Sequence, residues 1–441
     1  MRFGSRTSLG VLAAGGLTAA LAGCGSASAP VAAPAVAVPH GMTVTRGVAA
    51  VEPTADPRPF GAADTAFGLD VLGAWCAEYP GQNLVFSPAT LASALGMAYL
   101  GAKGATAAAM ARVLHLPANG GPGLDAGLQA RSSALGRLDG PGVTLSPSNQ
   151  VWADPALPPL RGYLNAVATG YGAGLARAPF LTDPAQAASQ VNAAVSAETR
   201  GHIAKLVAPD TLAGVGWVLT SALYLDAQWA TPFDPGKTEP GSFTLTDGKT
   251  ASTRYLDGTG FTYANSGGWT AVALPYRGGK LTMTALLPPA RSGSCALPSQ
   301  AGLGAITAAL NAGGSAGPGA AGRARTTAVY LPKVSLSTSG QAGDMKPVLA
   351  GLGMGQAFTG AADFTGLSRQ AGRLAFVQQA ATLQVGGKGT VGAAAAAAGV
   401  YPSSVEFAPV SVWFNRPYLM LVSAKSTGEP LFLAEVADPA G

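Results

Sequence analysis

Three histidines and three cysteines are the obvious reactive side chains in this chain of 441 residues, and their spacing assembles no catalytic set. His40 lies in a Pro/Ala-rich stretch, His115 follows a helical pattern, and His202 sits beside Lys205 where a solvated role is expected. The one Gly-x-Ser-x-Gly match, Gly313–Gly317, lies inside a Gly/Ala run. A nucleophile elbow needs a strand leading into it, and none is predicted there. No metal-ligand pair or phosphate-binding loop is present either. Enzymatic chemistry is therefore not expected, nor is a cofactor or a metal.

Cys24 is the cysteine with a recognisable context. Arg2 and Arg6 precede a short apolar stretch, Leu9–Ala20, which is too short to span a membrane and reads as an export signal. Leu21-Ala22-Gly23-Cys24, followed by Gly25-Ser26, resembles the lipobox of bacterial lipoproteins, in which the cysteine is lipid-modified. The alternative is ordinary signal cleavage near Ala27 or Ala29. The lipobox implies an outward-facing protein anchored to the membrane by lipid, or released from it, with residues 1–23 as signal peptide and 24–59 as an Ala/Pro-rich tether. Cys76 and Cys295 then remain in an oxidising compartment, as a pair or as two buried thiols.

Composition supports a sizeable core, with 48% hydrophobic residues. Gly 61 and Pro 33 stay below the level of wholesale disorder. The net charge of +5 arises from only 11% charged residues and forms no basic cluster interleaved with aromatics, which excludes nucleic-acid binding.

The most unusual stretch runs from Gly386 to Ser404, between two strand-like runs, Phe376–Val385 and Phe407–Phe414. From Thr390 to Val400 it has no charge, no proline and nothing larger than valine. A flexible linker and a short Ala helix are two readings. A third is a segment able to enter a sheet as an extra strand. Thr390, Gly392, Ala394, Ala396 and Ala398 would then share one face, each small enough for a packed core.

The elements around that stretch decide between the readings. The fold is expected to begin near Asp64, with Phe67, Val71, Leu72 and Trp75 at helical spacing. Asn83–Phe86 reads as a short strand, and Ser87-Pro88 as the cap and first position of a helix with Leu91, Leu95 and Ala98 on one face. This block, through Met97 and Gly101-Ala102-Lys103-Gly104-Ala105-Thr106, resembles the serpin family of serine protease inhibitors. Further blocks follow in family order: Asn149–Trp152, Val191–Ile203, Leu219–Leu225 with Trp229 and Phe233, Leu274-Pro275-Tyr276, Leu331-Pro332-Lys333, Ala362–Gly366, Phe414–Tyr418 and Thr427–Phe432. The resemblance covers about residues 62–439.

It implies an α+β serpin fold over 60–441, with three mainly antiparallel β-sheets, about eight or nine helices, and a mobile reactive-centre loop at 386–406. Gly389, Thr390, Val391, Gly392, Ala393, Ala394, Ala395 and Ala396 then form the loop hinge, while Gly387, Lys388 and Val391 replace acids usual in the family. Counting along the loop places the scissile bond at Ser403–Ser404, with Val400–Tyr401 as second choice. The implied partner is a serine protease, elastase-like or subtilisin-like, trapped as an acyl-enzyme by a monomeric inhibitor. Sheet opening would be controlled by Asn83, Ser87, Thr90, Ser221, Gln379 and Trp229. Ser221 stands where the family usually has Asn, and Gln379 where His is common. Strand-end and helix capping is the other account of Asn83, Ser87 and Thr90, and simple core packing that of Trp229. Two further functions stay open: a non-inhibitory binding protein of the same fold, and a solute-binding lipoprotein with two α/β lobes.

Overall fold

The computed structural model describes residues 43–116, 123–290, 292–293, 295–313, 327–338, 343–390 and 410–440. From the N-terminus come β1 (Thr43–Thr45), α1 (Arg58–Glu78), β2 (Leu84–Phe86), α2 (Pro88–Tyr99), α3 (Gly104–Val113) and α4 (Leu124–Gly136). Next are β3 (Val143–Ala153), α5 (Arg161–Tyr171), β4 (Leu175–Arg177), α6 (Pro184–Glu198) and β5 (Trp217–Gln228). Then follow β6 (Glu239–Thr244), β7 (Thr250–Ser266), β8 (Trp269–Pro275), β9 (Leu281–Leu287), α7 (Gln300–Asn311), β10 (Thr327–Pro332) and β11 (Val334–Thr338). α8 (Lys346–Leu349), β12 (Val377–Gly386), β13 (Gly389–Thr390), β14 (Val410–Trp413), β15 (Tyr418–Ala424) and β16 (Pro430–Val436) complete the described chain.

One sheet has seven strands in the order β1-β4-β3-β5-β13-β12-β11. β5 sits at its centre and is buried on both faces, which is why its sequence is apolar almost throughout rather than alternating. Its Leu219, Leu223 and Leu225 face the main core, while Val218 and Ala222 face α6. α2 packs against the first of these faces, beside β3, β5 and β16. α6 covers the second, laying Ala187, Val191, Ala194 and Val195 onto Trp152, Val218, Ala222 and Ala380.

The second sheet has nine strands and is built around β7, whose 17 residues serve two neighbourhoods. Its first half pairs with β6 and β10, its second half with β8. The β7–β10 register is irregular between Thr327 and Val329, opposite Gly258–Phe261, where Gly260 has a φ of 88°. Divided at that bend, the path gives two of the three expected sheets. The pairings are antiparallel except β3–β4, β5–β12 and β10–β14.

The ordered arm reaches further upstream than the spacing of apolar residues suggests. α1 starts at Arg58, ahead of Asp64, and buries Phe67, Val71, Leu72 and Trp75 as expected. Residues 43–57, placed by composition in the tether, lie along the domain. β1 pairs antiparallel with β4, and the Val48 and Ala50 amides donate to the Asn165 and Thr169 side chains on α5. Cys76 and Cys295 are disulfide-bonded, with Cα atoms 5.6 Å apart. Among the described residues no helix is long and apolar enough to cross a membrane.

Candidate functional site

β5 and β12 run parallel and pair directly over one half of their length, from Leu219↔Val377 to Leu223↔Ala381. Beyond that point a different strand stands between them. After Gly386 the chain reverses through Gly387-Lys388 and returns as β13. Gly389 and Thr390 pair with Gly386 and Val385 on one side and with Gln228 and Ala227 on the other. Two residues of the Gly386–Ser404 stretch are therefore already a central strand. That agrees with the sheet-entering reading for these two positions.

Only small residues fit this wedge. A Cβ on Gly389 would lie 2.1 Å from the Ala227 carbonyl oxygen, a backbone atom that cannot turn aside. Thr390 is 1% exposed, and its Oγ1 lies 2.5 Å from the Tyr276 hydroxyl. Burial pushes the Tyr276 phenol well up, with the Thr390 hydrogen bond opposing. Trp229 closes the wedge from the end of β5. Its indole stacks on Tyr276 at 4.5 Å, its Nε1 donates to the Gly386 carbonyl at 2.9 Å, and its amide donates to the Lys388 carbonyl at 2.9 Å. The Phe233 amide holds the Gly387 carbonyl at 2.8 Å. Trp229 is 2% exposed, which agrees with the core-packing account, and its indole also holds the turn at Gly386.

A polar cluster lies where β5 and β12 join. Ser221 and Gln379 are register partners, both 0% exposed, on the face toward α2. Neither the Ser221 hydroxyl nor either amide atom of Gln379 has a hydrogen-bond partner. Ser87 caps α2 by accepting from the Thr90 amide at 3.2 Å. Asn149, the β3 register partner of Ser221, reaches the Thr90 carbonyl at 3.2 Å once its amide nitrogen faces that way. Ser87 thus caps the helix, while the Thr90 carbonyl also reaches β3 through Asn149. Asn83 stands apart from this cluster. Its side chain accepts from the Ala437 and Asp438 amides and donates to the Asp438 carbonyl, so it ties down the C-terminal segment.

Sequence reasoning gives no role to two participants. Tyr276 and Asn149 stand in motifs that carry no signal of their part here, because each acts on residues distant in the chain. Glu198, at the end of α6, lies on the opposite face of this sheet. Burial lifts its carboxyl to about 7, with Ser148 of β3 pulling the other way. The remaining site residues, Val391, Gly392, Ala393, Ala394, Ala395, Ala396, Ser403, Ser404 and Cys24, lie outside the described residues.

The chain matches a family model described as "Serpin (serine protease inhibitor)" over residues 62–439. It is 29% identical to Iripin-2 of Ixodes ricinus, covering 85% of this chain and 92% of that protein. Identity to the leukocyte elastase inhibitor of Bos taurus is 27%, over 86% and 99% of the two chains. Human thyroxine-binding globulin, solved in complex with thyroxine, superposes with a TM-score of 0.73. That match covers 88% of this chain and all of the other at 23% identity, and it bears on the fold alone.

Proposed function

The chain belongs to the serpin family, and we propose that it inhibits serine proteases as a suicide substrate. The observation that carries this reading is β13: Gly389 and Thr390 already lie between β5 and β12, so the loop has its first rung in place. A protease takes Val400–Ser403 as substrate. Its serine attacks the Ser403 carbonyl, the bond to Ser404 breaks with loss of the Ser404 amine, and an acyl-enzyme forms. The loop, now free at one end, continues the register of β13. Val391 then faces Asp226, Gly392 faces Leu225, and Ala393 faces Tyr224.

Further entry must part the direct β5–β12 pairing from Leu223 down to Leu219. The unpartnered Ser221 and Gln379 lie on that seam, so its closed form is held by fewer hydrogen bonds than its buried polar atoms allow. Thr390, Gly392, Ala394, Ala396 and Ala398 supply an inward face that the core can accept. About a dozen new ladder bonds, at about 0.5–1.5 kcal/mol net each, yield roughly 6–18 kcal/mol. That range overlaps the stability of a whole protease domain, about 5–15 kcal/mol, so dragging and distorting the enzyme is feasible.

The small Ser403 after Pro402 suits elastase-like or subtilisin-like enzymes, and similarity to a leukocyte elastase inhibitor supports the same class. With Cys24 lipidated, the monomeric inhibitor acts at the outer face of the membrane. Incubation with an elastase and with subtilisin tests this. An SDS-stable adduct supports inhibition, whereas clean loop cleavage without adduct supports a second reading, a non-inhibitory binding protein. Gly387 and Lys388 in place of acids at the turn favour that second reading.

A further inference from the structure

The Cys76–Cys295 disulfide has an unusual neighbour. Glu435, on β16, is 2% exposed and faces the main core rather than solvent. Its Oε2 lies 2.9 Å from Cys76 Sγ, and its Oε1 accepts from the Cys295 amide at 3.1 Å. A disulfide sulfur carries no hydrogen, so a close contact with a carboxyl oxygen is favourable when the carboxyl is the donor. Burial raises the Glu435 carboxyl, the Cys295 amide alone opposing, and this favours the protonated acid. Its register partners on β2 and β15, Leu84 and Leu419, bring no charge to it.

The two sulfurs are unequal. Cys76, on α1, is fully buried, while Cys295 is half-buried in the segment between β9 and α7. An incoming thiolate therefore reaches Cys295 first, and Cys76 is the leaving group. A thiolate expelled into an apolar core is a poor leaving group, because burial raises its pKa. A proton donor in contact with that sulfur removes the difficulty.

We propose that Cys76–Cys295 is a thiol–disulfide exchange site for dithiol reductants, with Glu435 as its proton shuttle. The reductant's thiolate attacks Cys295 Sγ and forms a mixed disulfide. The Cys76–Cys295 bond breaks, its electron pair goes to Cys76 Sγ, and the Glu435 O–H proton moves to that sulfur. The reductant's second thiol then releases Cys295 and leaves as a cyclic disulfide, two electrons having passed to the protein. Reoxidation runs in reverse, with the Glu435 carboxylate taking the Cys76 proton. Exchange unpins the β9–α7 segment from α1, where Leu297 rests against Gly73.

The test uses the folded full-length chain without denaturant. A monothiol is added, mixed disulfides are trapped by acid, and peptide mapping distinguishes Cys295, Cys76 and Cys24. Adducts at Cys295 are expected, and adducts mainly at Cys76 overturn the proposal. Dithiothreitol reduction is then timed for the native chain and for Glu435→Gln. The variant should react at least about tenfold more slowly, in line with the loss of a general acid. After correction for reductant thiolate, the native rate should fall as pH rises through the Glu435 ionisation, and the variant's should not. Equal rates and equal pH profiles overturn the shuttle. Should the variant fail to fold, the native chain still decides: a reduction rate that rises with urea in step with global unfolding overturns exchange in the folded state.

Discussion

Replacing Thr390 by arginine tests whether the wedge between β5 and β12 is the entry point for the loop. Thr390 is 1% exposed, its hydroxyl is spent on Tyr276, and the Trp229–Tyr276 stack seals the space above it. Its hydrogen-bond partner there is the neutral Tyr276 hydroxyl, so Thr390→Arg is expected to leave the sheet and keep its charge in water. Loop insertion must then drive an unpaired cation into the core, which costs about 3–5 kcal/mol. At about 1.4 kcal/mol per factor of ten, insertion slows by roughly 10²–10³-fold while hydrolysis of the acyl-enzyme is untouched. The assay is the partition between SDS-stable adduct and cleaved product on a gel, with an elastase or subtilisin that traps the native chain. Thr390→Arg should be cleaved at the native rate and give almost no adduct. Thr390→Ser, which keeps the hydroxyl, should retain most of it. An adduct yield for Thr390→Arg equal to that of the native chain would refute the argument, because the loop would then enter elsewhere.

Other outcomes follow from the same geometry. Gln379→Met removes two buried amide atoms that have no partner and should raise the unfolding midpoint, by about 1–3 kcal/mol in stability, and slow loop insertion. Asn83→Ala loses three hydrogen bonds to the C-terminal segment and should lower stability by about 1–3 kcal/mol in a denaturant titration, without changing the adduct-to-product ratio. Glu198 holds its proton to about 7 in the folded chain, against a reference of 4.5. The folded state binds more protons across that window, so stability should fall by about 3 kcal/mol as pH rises from 4.5 to 7. Thermal midpoints of Glu198→Gln should lack this component, and an unchanged slope would refute the assignment.

Much of this architecture is legible from local pattern. The unbroken apolar run of β5 marks a strand buried on both faces, and Ser87-Pro88 marks the start of α2. Capping and a link to the sheet are not separable in sequence for Thr90, because Asn149 on β3, which its carbonyl meets, lies far along the chain. Two residues are too few for any periodicity, so β13 cannot be seen as a strand until Val385 and Ala227 flank it. Pairing of Cys76 with Cys295 spans 219 residues and leaves no trace in spacing. The arm at 43–57 is hidden for a different reason: it is held by backbone pairing and by side chains on α5, with Val44 the residue of β1 that packs on the core, too little for a periodic apolar signal. Asn83 shows the limit of a motif, since the same residue at a strand end can serve a sheet or a chain terminus.

The central claim is that the segment following Thr390 gains free energy by joining the sheet once it is cut. Limited proteolysis between Val400 and Glu406, followed by a thermal melt of the nicked protein beside the intact one, measures this directly. The account predicts a midpoint raised well above that of the intact chain. A nicked protein that melts at or below the intact midpoint would contradict it.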